Sequence, residues 1–398
     1  MTGVRSLAVS VLVWLAALAL PAAAQEEEVL ERLFTAETIE RNWFSSALLN
    51  RANLEEVVSI VRGLKGTLGG YRGVQKEGPR SYTVFLERGR VPAELQLDET
   101  GLVTFLFFRQ PTAAGLTPQE ALGGFVRLER AGGGTVSVLV TQDDSDQVSL
   151  SPDELLDVGS AFKLAVLRAV AERIKAGKIA WNDVVSLDDA WRSLPSGILH
   201  GWPPGAPVTV QTLSTLMISI SDNTAADALM ALVGREAVSA LLPEQPVLTT
   251  AEFFKLKADV NNMRARYRAA DASGRLSVLA EIASAPLPEA SALDSLPSPE
   301  IGWPASVRNL CRLIESVADL PVMHVNPGAT DPANWAQIAY KGGSAFGAFN
   351  MTTHLVDESG IRWCVAATWN TSHETLDQEA FTAAYVGLIG SLIQSELP

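Results

Sequence analysis

The chain has 398 residues and a formal net charge of −14 at pH 7. This length suits two or three structural units, at about 100–200 residues per domain, and the 47% apolar content is enough to bury a sizeable core. The strong negative charge makes nucleic acids and anionic membrane surfaces poor partners. It favours a protein that acts on a small molecule or on the cell wall.

The first 24 residues have the composition of an export signal. Arg5 supplies the positive start, and residues 7–20 form an apolar stretch that is too short to span a bilayer. Three alanines at 22–24 supply the small residues of a cleavage site. The sequence therefore predicts a signal peptide at 1–24 and an exported protein, periplasmic or secreted. An uncleaved N-terminal anchor is the alternative.

Residues 25–115 are predicted to form a small α+β domain. Asn53, with Glu56 three positions later, resembles a capping box and predicts a helix over 54–65. Alternating apolar runs at 82–87, 94–97 and 102–108 predict antiparallel strands. No residue pattern here points to chemistry, so a structural or partner-docking role is the default interpretation.

A second domain is predicted over 116–398. Thr117 and Glu120 mark a helix start, and a strand-like run follows at 135–141. The pattern from 160 to 281 is mostly helical, strand-like runs return at 336–341, 346–354 and 362–369, and a last helix is predicted over 378–394. This order predicts an antiparallel sheet beside a helical lobe, with a chain that enters and leaves through the sheet.

Two cysteines occur, Cys311 in a helical pattern and Cys364 in a strand-like run. Two cysteines are no disulfide framework, so the sequence favours two separate buried thiols over a bridge. The four histidines and two cysteines show no metal-site spacing, and neither a metal nor another cofactor is expected.

The first candidate for chemistry is the pair Ser160 and Lys163. A spacing of three residues places both side chains on one face of a helix. A serine hydroxyl needs a neighbouring base to become a nucleophile, and a lysine among apolar residues has its charged form disfavoured. The alternative is a helix-capping serine followed by a surface lysine, which is the commoner meaning of this pattern by itself.

Two further motifs follow. Ser221, Asp222 and Asn223 come 61 positions after Ser160 (221 − 160), directly after a predicted helix. A run that begins at Lys341 comes 120 positions later (341 − 221) and reads Lys-Gly-Gly-Ser, at the end of a predicted strand. Either could be ordinary, the first as a polar loop in which Ser221 or Asp222 caps the next helix and the second as a glycine turn between strands. The three motifs in this order favour a common site.

Ser-x-x-Lys, Ser-Asp-Asn and Lys-[Thr/Ser/Gly]-Gly resemble the signature of class A β-lactamases and penicillin-binding proteins. The likeness covers roughly residues 118–395, and it implies the β-lactamase-like fold, in which a helical lobe flanks an antiparallel sheet. The two-domain layout resembles the serine hydrolases of clavulanic acid gene clusters, whose N-terminal domain is similar to steroid-isomerase and polyketide-cyclase folds.

The resemblance implies four catalytic residues. Ser160 would be the acylated nucleophile, and Lys163 would be its general base. Ser221 would pass a proton to the leaving group, with help from Lys341. The positive charge of Lys341 also suits a substrate carboxylate.

Substrate binding is implied for three more residues. Asn223 would bind an amide side chain of the substrate. Gly343 would let an edge strand approach the substrate closely. The backbone N–H groups of Ser160 and Ser344 would form an oxyanion hole, because two converging donors are what a tetrahedral oxyanion requires.

One feature of class A enzymes is missing, the Glu-x-x-x-Asn motif whose carboxylate activates the deacylating water. In the window 245–270, Glu252 is followed four places later by Leu256, and Asp259 by Met263. Glu252 instead suits the first turn of a helix capped by a threonine. An ester could still be released with Lys163 or Ser221 as base.

The sequence therefore predicts an exported serine hydrolase that acts on β-lactam, ester or amide substrates, with weak β-lactam turnover. An esterase or amidase is one form of this hypothesis. The alternatives are a non-catalytic penicillin-binding sensor and a cell-wall D-alanyl-D-alanine carboxypeptidase that acts on cell-wall peptide.

Overall fold

The computed structural model describes residues 22–109, 111–113, 117–243, 246–289, 291, 293, 301–372 and 376–393. The predicted signal segment lies outside the described residues except for 22–24, which open the first helix. Within the described ranges, no helix has the length and apolar character needed to cross a bilayer.

The first unit packs helices against an antiparallel sheet. Its elements are α1 Ala22–Thr35, α2 Ser46–Leu49, α3 Leu54–Leu68, β1 Tyr71–Lys76, β2 Ser81–Leu86, β3 Gly89–Leu97, β4 Val103–Phe108 and β5 Thr112–Ala113. The strands lie in the order β1-β2-β3-β4, with β5 beside β3. The capping box of Asn53 and Glu56 is present and opens α3. Strand β1 was not predicted, because none of its side chains is fully buried and its sequence lacks apolar alternation.

The second unit begins with a helix and a hairpin and continues into the helical lobe. In chain order it contains α4 Pro118–Gly132, β6 Thr135–Gln142, β7 Ser145–Leu150, β8 Leu156–Asp157, α5 Lys163–Lys175, β9 Val184–Ser186, β10 Pro207–Thr209, α6 Val210–Ser219, α7 Asn223–Val233, α8 Arg235–Ser239, α9 Thr250–Lys257, α10 Arg264–Ala269, α11 Ala272–Ala283, β11 Pro304–Ala305, α12 Val307–Glu315, β12 Gln337–Ala345, β13 Ala348–Val356, β14 Arg362–Asn370 and α13 Gln378–Gly390.

The main sheet of this unit joins strands from the beginning and the end of the unit, in the antiparallel order β12-β13-β14-β6-β7. The prediction that the chain enters and leaves the helical lobe through one sheet is therefore confirmed. Strand β12 lies at the edge of the sheet, so only one of its two sides is paired with another strand.

Two cores lie on opposite faces of this sheet. Side chains alternate along β14, so that Cys364 and Ala366 face the helical lobe while Val365 and Ala367 face the other core. That other core also contains side chains of α4, α13 and the first unit, including Val61 of α3. The predicted domain boundary near residue 115 falls at 114–116, outside the described residues, and stays a prediction.

The prediction of two separate thiols is wrong, because Cys311 and Cys364 form a disulfide with a Cα–Cα distance of 5.8 Å. Both residues lie in the core between the sheet and the helical lobe, where α12 packs on β14. The two cysteines are 53 positions apart, and the sequence between them gives no sign of this packing. A disulfide that closes a loop of this size stabilises a fold by about 2–4 kcal/mol.

Candidate active site

Ser160 lies in a single turn between β8 and α5. This turn, Gly159–Phe162, is a 3-10 helix, and α5 itself begins at Lys163. The buried carboxylate of Asp157 fixes the turn, because it accepts the N–H groups of Gly159 and Trp303, each over 3.0 Å. Burial raises the pKa of Asp157. The nucleophile predicted from the sequence is therefore held by a buried acid that the motifs did not reveal.

Lys163 is completely buried, one turn after Ser160. Its Nζ donates to the carbonyl oxygen of Ser221 over 2.6 Å, to Ser221 Oγ over 3.1 Å and to Asn223 Oδ1 over 2.6 Å. Burial lowers the pKa of Lys163 well below its usual range, and the nearby charge of Lys341 lowers it further. The structure thus brings the first two motifs together around one amine.

Ser221 has a left-handed backbone, with φ of +58°. This conformation is costly for a residue other than glycine and is concentrated at functional sites. It is held by Ser196, whose hydroxyl donates to the Ser221 carbonyl oxygen over 2.6 Å. The Ser221 hydroxyl then lies between two amines, with Lys163 Nζ and Lys341 Nζ each 3.1 Å away.

Asp222, the middle residue of its motif, caps the next helix, which is the role that the alternative interpretation of this motif gave to its serine or its acid. One carboxylate oxygen accepts the N–H of Ala225 and so caps α7. The other accepts the N–H groups of Ile198 and Leu199 over 2.6 and 2.9 Å, which holds the neighbouring loop against the motif. The sequence signal for the capping role is an acid directly before a predicted helix, and no sequence signal indicates the contact with the neighbouring loop.

Asn223 lines the cleft, but both ends of its side chain are already engaged. The oxygen accepts from Lys163, and the nitrogen donates to the carbonyl oxygen of Leu194 over 2.9 Å. Its predicted contact with a substrate amide stays a prediction. In this structure its side chain orients Lys163.

Lys341 is buried on edge strand β12, with 3% of its surface exposed. Besides Ser221 Oγ, its Nζ contacts the carbonyl oxygen of Gly342. Burial lowers the pKa of Lys341 to about 7. From the sequence, Lys341 was expected to offer a positive charge to a substrate carboxylate. With this pKa the amine is only partly charged near neutral pH, so that interpretation is incomplete.

Gly343 lets β12 lie directly against the turn that carries Ser160. A Cβ built on Gly343 would overlap the Val158 carbonyl oxygen and lie 2.8 Å from the Ser160 nitrogen. Gly159, with φ of +50°, approaches from the other side, because a Cβ there would lie 2.9 Å from the Ser344 backbone. The backbone of Ser344 is thus brought beside the backbone of Ser160, as the predicted oxyanion hole requires.

The three motifs line one cleft of about 670 Å³. Its wall is rich in aromatic side chains, and Trp303 joins them by stacking on Phe162 with a ring separation of 4.3 Å and by packing against Phe253. Among the described residues that line this cleft, none is Asp or Glu. The part of the chain that the structure describes also holds no cluster of His, Cys, Asp or Glu that could bind a metal.

The window 245–270, in which the deacylating motif is missing, contains two acids, Glu252 and Asp259. Both interact with residues outside the cleft. Glu252 forms an ion pair with Arg235 at 2.6 Å, and it completes the capping box of Thr249 at the start of α9. Asp259 accepts the N–H of Arg264 over 2.9 Å. Neither acid lines the cleft.

Comparisons with known proteins give one family model and several similar solved structures. A family model described as the beta-lactamase enzyme family matches residues 122–290, less than half of the chain. Among solved structures, a beta-lactamase from Sphaerobacter thermophilus is 20% identical, covers 69% of this chain and 95% of its own, and has a TM-score of 0.48. A beta lactamase from Xanthomonas campestris pv. campestris is 16% identical, with coverages of 69% and 97% and a TM-score of 0.49.

A mutant of PBP-A, solved as an acyl-enzyme complex with penicillin G, is 13% identical, with coverages of 68% and 94% and a TM-score of 0.45. At these identities the likeness concerns the fold alone. No curated protein sequence matches the chain. Residues 122–290 are similar to the beta-lactamase enzyme family, and the chain has the β-lactamase-like fold, in which helices flank an antiparallel sheet.

Proposed function

We propose that this chain is a serine hydrolase that forms an acyl-enzyme on Ser160, with Lys163 as the general base. The observation that carries the proposal is the buried Lys163 amine, which has a lowered pKa and lies one turn from a serine that lines a cleft. A lysine whose neutral form is favoured can take the proton of a serine hydroxyl near pH 7.

In the proposed acylation step, Lys163 Nζ must reach Ser160 Oγ, which lies one turn earlier in the chain. Among the described residues, none makes a hydrogen bond with the Ser160 side chain, so its hydroxyl has no competing partner. Lys163 takes the hydroxyl proton as Ser160 Oγ attacks the carbonyl carbon, and hydrogen bonds of this kind often tighten only when substrate is bound. Ser221, which hydrogen-bonds both amines, then passes a proton to the leaving group.

The developing oxyanion would be stabilised by the backbone N–H groups of Ser160 and Ser344. Two observations support this part of the proposal. Gly343 allows β12 to approach the Ser160 turn, and the unpaired side of an edge strand has backbone donors free for a substrate. Loss of one such donor typically costs about 10²–10³ in rate.

The substrates we propose are β-lactams and esters or amides with an apolar acyl group. The aromatic wall suits an apolar group, and Lys341 suits a substrate carboxylate while it is protonated. Because no described Asp or Glu borders the cleft, the water that would release a penicilloyl group has no carboxylate in direct contact. We therefore propose slow β-lactam turnover and faster turnover of reactive esters.

Export is part of the proposal and rests on the first 24 residues of the sequence. A periplasmic or secreted location would give the hydrolase access to β-lactams and to cell-wall peptide. The likeness of the first unit to steroid-isomerase and cyclase folds stays a prediction.

The proposal is tested by following nitrocefin, benzylpenicillin and a p-nitrophenyl ester with the wild-type chain and with Ser160→Ala. We expect ester hydrolysis and slow nitrocefin hydrolysis by the wild type, and neither by the variant. A stable adduct without any turnover would instead identify a penicillin-binding sensor, and release of D-alanine from a cell-wall peptide would identify a carboxypeptidase. Hydrolysis by Ser160→Ala at the wild-type rate would refute the proposal.

A further inference from the structure

A tyrosine of edge strand β12 contributes to the wall of the cleft, one position before Lys341. Tyr340 is partly buried and lines the cleft together with Ser160 and Ser221. Its ring packs against the loop that precedes β12, because a Cβ built on Gly328 would lie 2.6 Å from ring atoms. The ring therefore has little freedom to move.

The hydroxyl of Tyr340 occupies the space that a side chain at position 342 would fill. Residues two apart on a strand face the same side of the sheet, so the Tyr340 side chain can run along β12 toward Gly342. A Cβ built on Gly342 would overlap the Tyr340 hydroxyl oxygen. The carbonyl oxygen of Gly342 in turn contacts Lys341 Nζ. The hydroxyl and the amine therefore touch the same glycine.

This hydroxyl has no hydrogen-bond partner within the described part of the chain. Buried tyrosines usually find one, as Tyr82 does with Glu26 and Tyr385 does with the Val365 carbonyl oxygen over 2.7 Å. Among the described residues, none hydrogen-bonds Tyr340 Oη, and the oxygen itself is not buried. The proton and the lone pairs of this hydroxyl are therefore available to a molecule in the cleft.

The surroundings of the hydroxyl favour an anion. Among the described residues that line the cleft, Lys341 is the sole Lys or Arg, and none is Asp or Glu. A protonated lysine has three N–H donors, and Lys341 directs two of them at Ser221 Oγ and the Gly342 carbonyl oxygen. It therefore keeps one donor for a substrate. Burial raises the pKa of Tyr340 to about 12, so its hydroxyl stays protonated at neutral pH and can supply a second donor.

We propose that Tyr340 is a specificity-determining residue whose hydroxyl donates a hydrogen bond to a substrate carboxylate beside Lys341. The inference rests on the acyl-enzyme proposed above and names the group that this part of the cleft recognises. A carboxylate has two oxygens that only accept hydrogen bonds, so it can take one from the amine and one from the hydroxyl. Substrates with a carboxylate should therefore acylate Ser160 faster than their uncharged esters.

The test compares two probes that differ in this group alone, benzylpenicillin and its methyl ester. The second-order rate of acylation of the full chain is measured with each probe by intact-protein mass spectrometry. Tyr340→Phe removes the hydroxyl and keeps the ring against Gly328. We expect acylation by benzylpenicillin to slow about 10–100-fold, the range for a hydrogen bond to a charged group, and acylation by the methyl ester to slow less than about threefold.

Gly342→Ala is a second, independent variant. Its added methyl group would displace the Tyr340 hydroxyl, so we expect the ratio of the benzylpenicillin rate to the methyl ester rate to fall as in Tyr340→Phe. Tyr71→Phe, on β1 of the first unit, is the matched control and should keep the wild-type ratio. Because Tyr340 Oη has no partner among the described residues, Tyr340→Phe should unfold at the wild-type temperature.

Retention of the wild-type ratio in Tyr340→Phe or in Gly342→Ala would overturn the inference, whether both rates are unchanged or both fall equally. If the methyl ester does not acylate the wild type, a p-nitrophenyl ester replaces it as the uncharged probe. A wild-type chain that forms no adduct with either kind of probe would overturn the acyl-enzyme itself. The two failures are thus distinguishable.

Discussion

Lys163 and Lys341 share one hydrogen-bond acceptor, since each Nζ lies 3.1 Å from Oγ of Ser221. Both side chains are buried, so each positive charge loses hydration, and the charge of Lys341 also disfavours that of Lys163. Burial lowers the pKa of Lys341 to about 7 and that of Lys163 well below its usual range. At neutral pH the two amines therefore carry a combined charge of less than +2.

The rate of acylation should follow the titration of this pair. A general base must be neutral to take the Ser160 proton, and the neutral fraction of the amines grows as pH rises. We expect the second-order rate of acylation by benzylpenicillin to increase with pH as Lys163 loses its proton, and to level off once Lys163 is neutral. Stopped-flow or quenched mass spectrometry across the neutral range measures it. A rate that is independent of pH would contradict the role of a buried lysine base.

The base itself is tested by two substitutions of Lys163. Lys163→Ala removes the amine, and we expect acylation to fall by about 10²–10⁴, the range for loss of a general base. Lys163→Arg keeps a positive charge but is never neutral, so we expect a similar loss. If the arginine variant kept the wild-type rate, charge alone would explain the role of Lys163. Thermal unfolding of both variants checks that the buried site has not collapsed.

Lys341 should make folding stability depend on pH. Its pKa is about 7 in the folded chain against about 10.4 for an exposed lysine, so between these values the unfolded chain binds the extra proton. The free energy of unfolding therefore rises with pH in this window, by up to about 1.4 kcal/mol per pH unit. It decreases again as pH falls toward 7, where the folded chain must also protonate the buried amine. We expect Lys341→Met to reduce this slope in urea unfolding, while the part that comes from Lys163 remains.

The exposed Lys178 provides the control for that experiment. Lys178→Met should leave the pH dependence of the free energy of unfolding as it is in the wild type. Equal slopes for Lys341→Met and the wild type would show that Lys341 is hydrated and charged in the folded chain.

Gly343 should be irreplaceable at the contact between β12 and the Ser160 turn. In Gly343→Ala the added methyl group would overlap the Val158 carbonyl oxygen and force the strand away from Ser160. We expect at least about 10²-fold slower acylation, comparable with loss of an oxyanion donor. Gly73 lies in β1 with nothing within 4 Å of a built Cβ, so Gly73→Ala is the matched control and should acylate normally.

Much of the fold could be predicted because its signals are local. The capping boxes at Asn53, Thr117 and Thr249 are contained within four residues each and are all present. Four strands of the main sheet, β6, β12, β13 and β14, were visible as apolar runs, and their places before and after the helical lobe were enough to predict one sheet. Strand β7 was not predicted, because only one of its six side chains is fully buried. The three motifs pointed to one cleft, which the structure contains.

The rest depended on contacts between distant parts of the chain. The pairing of Cys311 with Cys364 follows from the packing of α12 on β14, which no local pattern encodes. Asp227 looks like an ordinary helix residue until Thr250, 23 positions later, is placed against it. The partial neutrality of Lys341 is likewise a consequence of burial, because the sequence shows a lysine but not how much water surrounds it.

The central claim, acylation of Ser160, is tested most directly by peptide mapping after exposure to benzylpenicillin. We expect the wild-type chain to gain the mass of one penicillin, and we expect that mass on the peptide that contains Ser160 and on no other peptide. Ser160→Ala, with unchanged thermal unfolding, should gain nothing. An adduct on a different residue, or an adduct of equal yield on Ser160→Ala, would contradict the account.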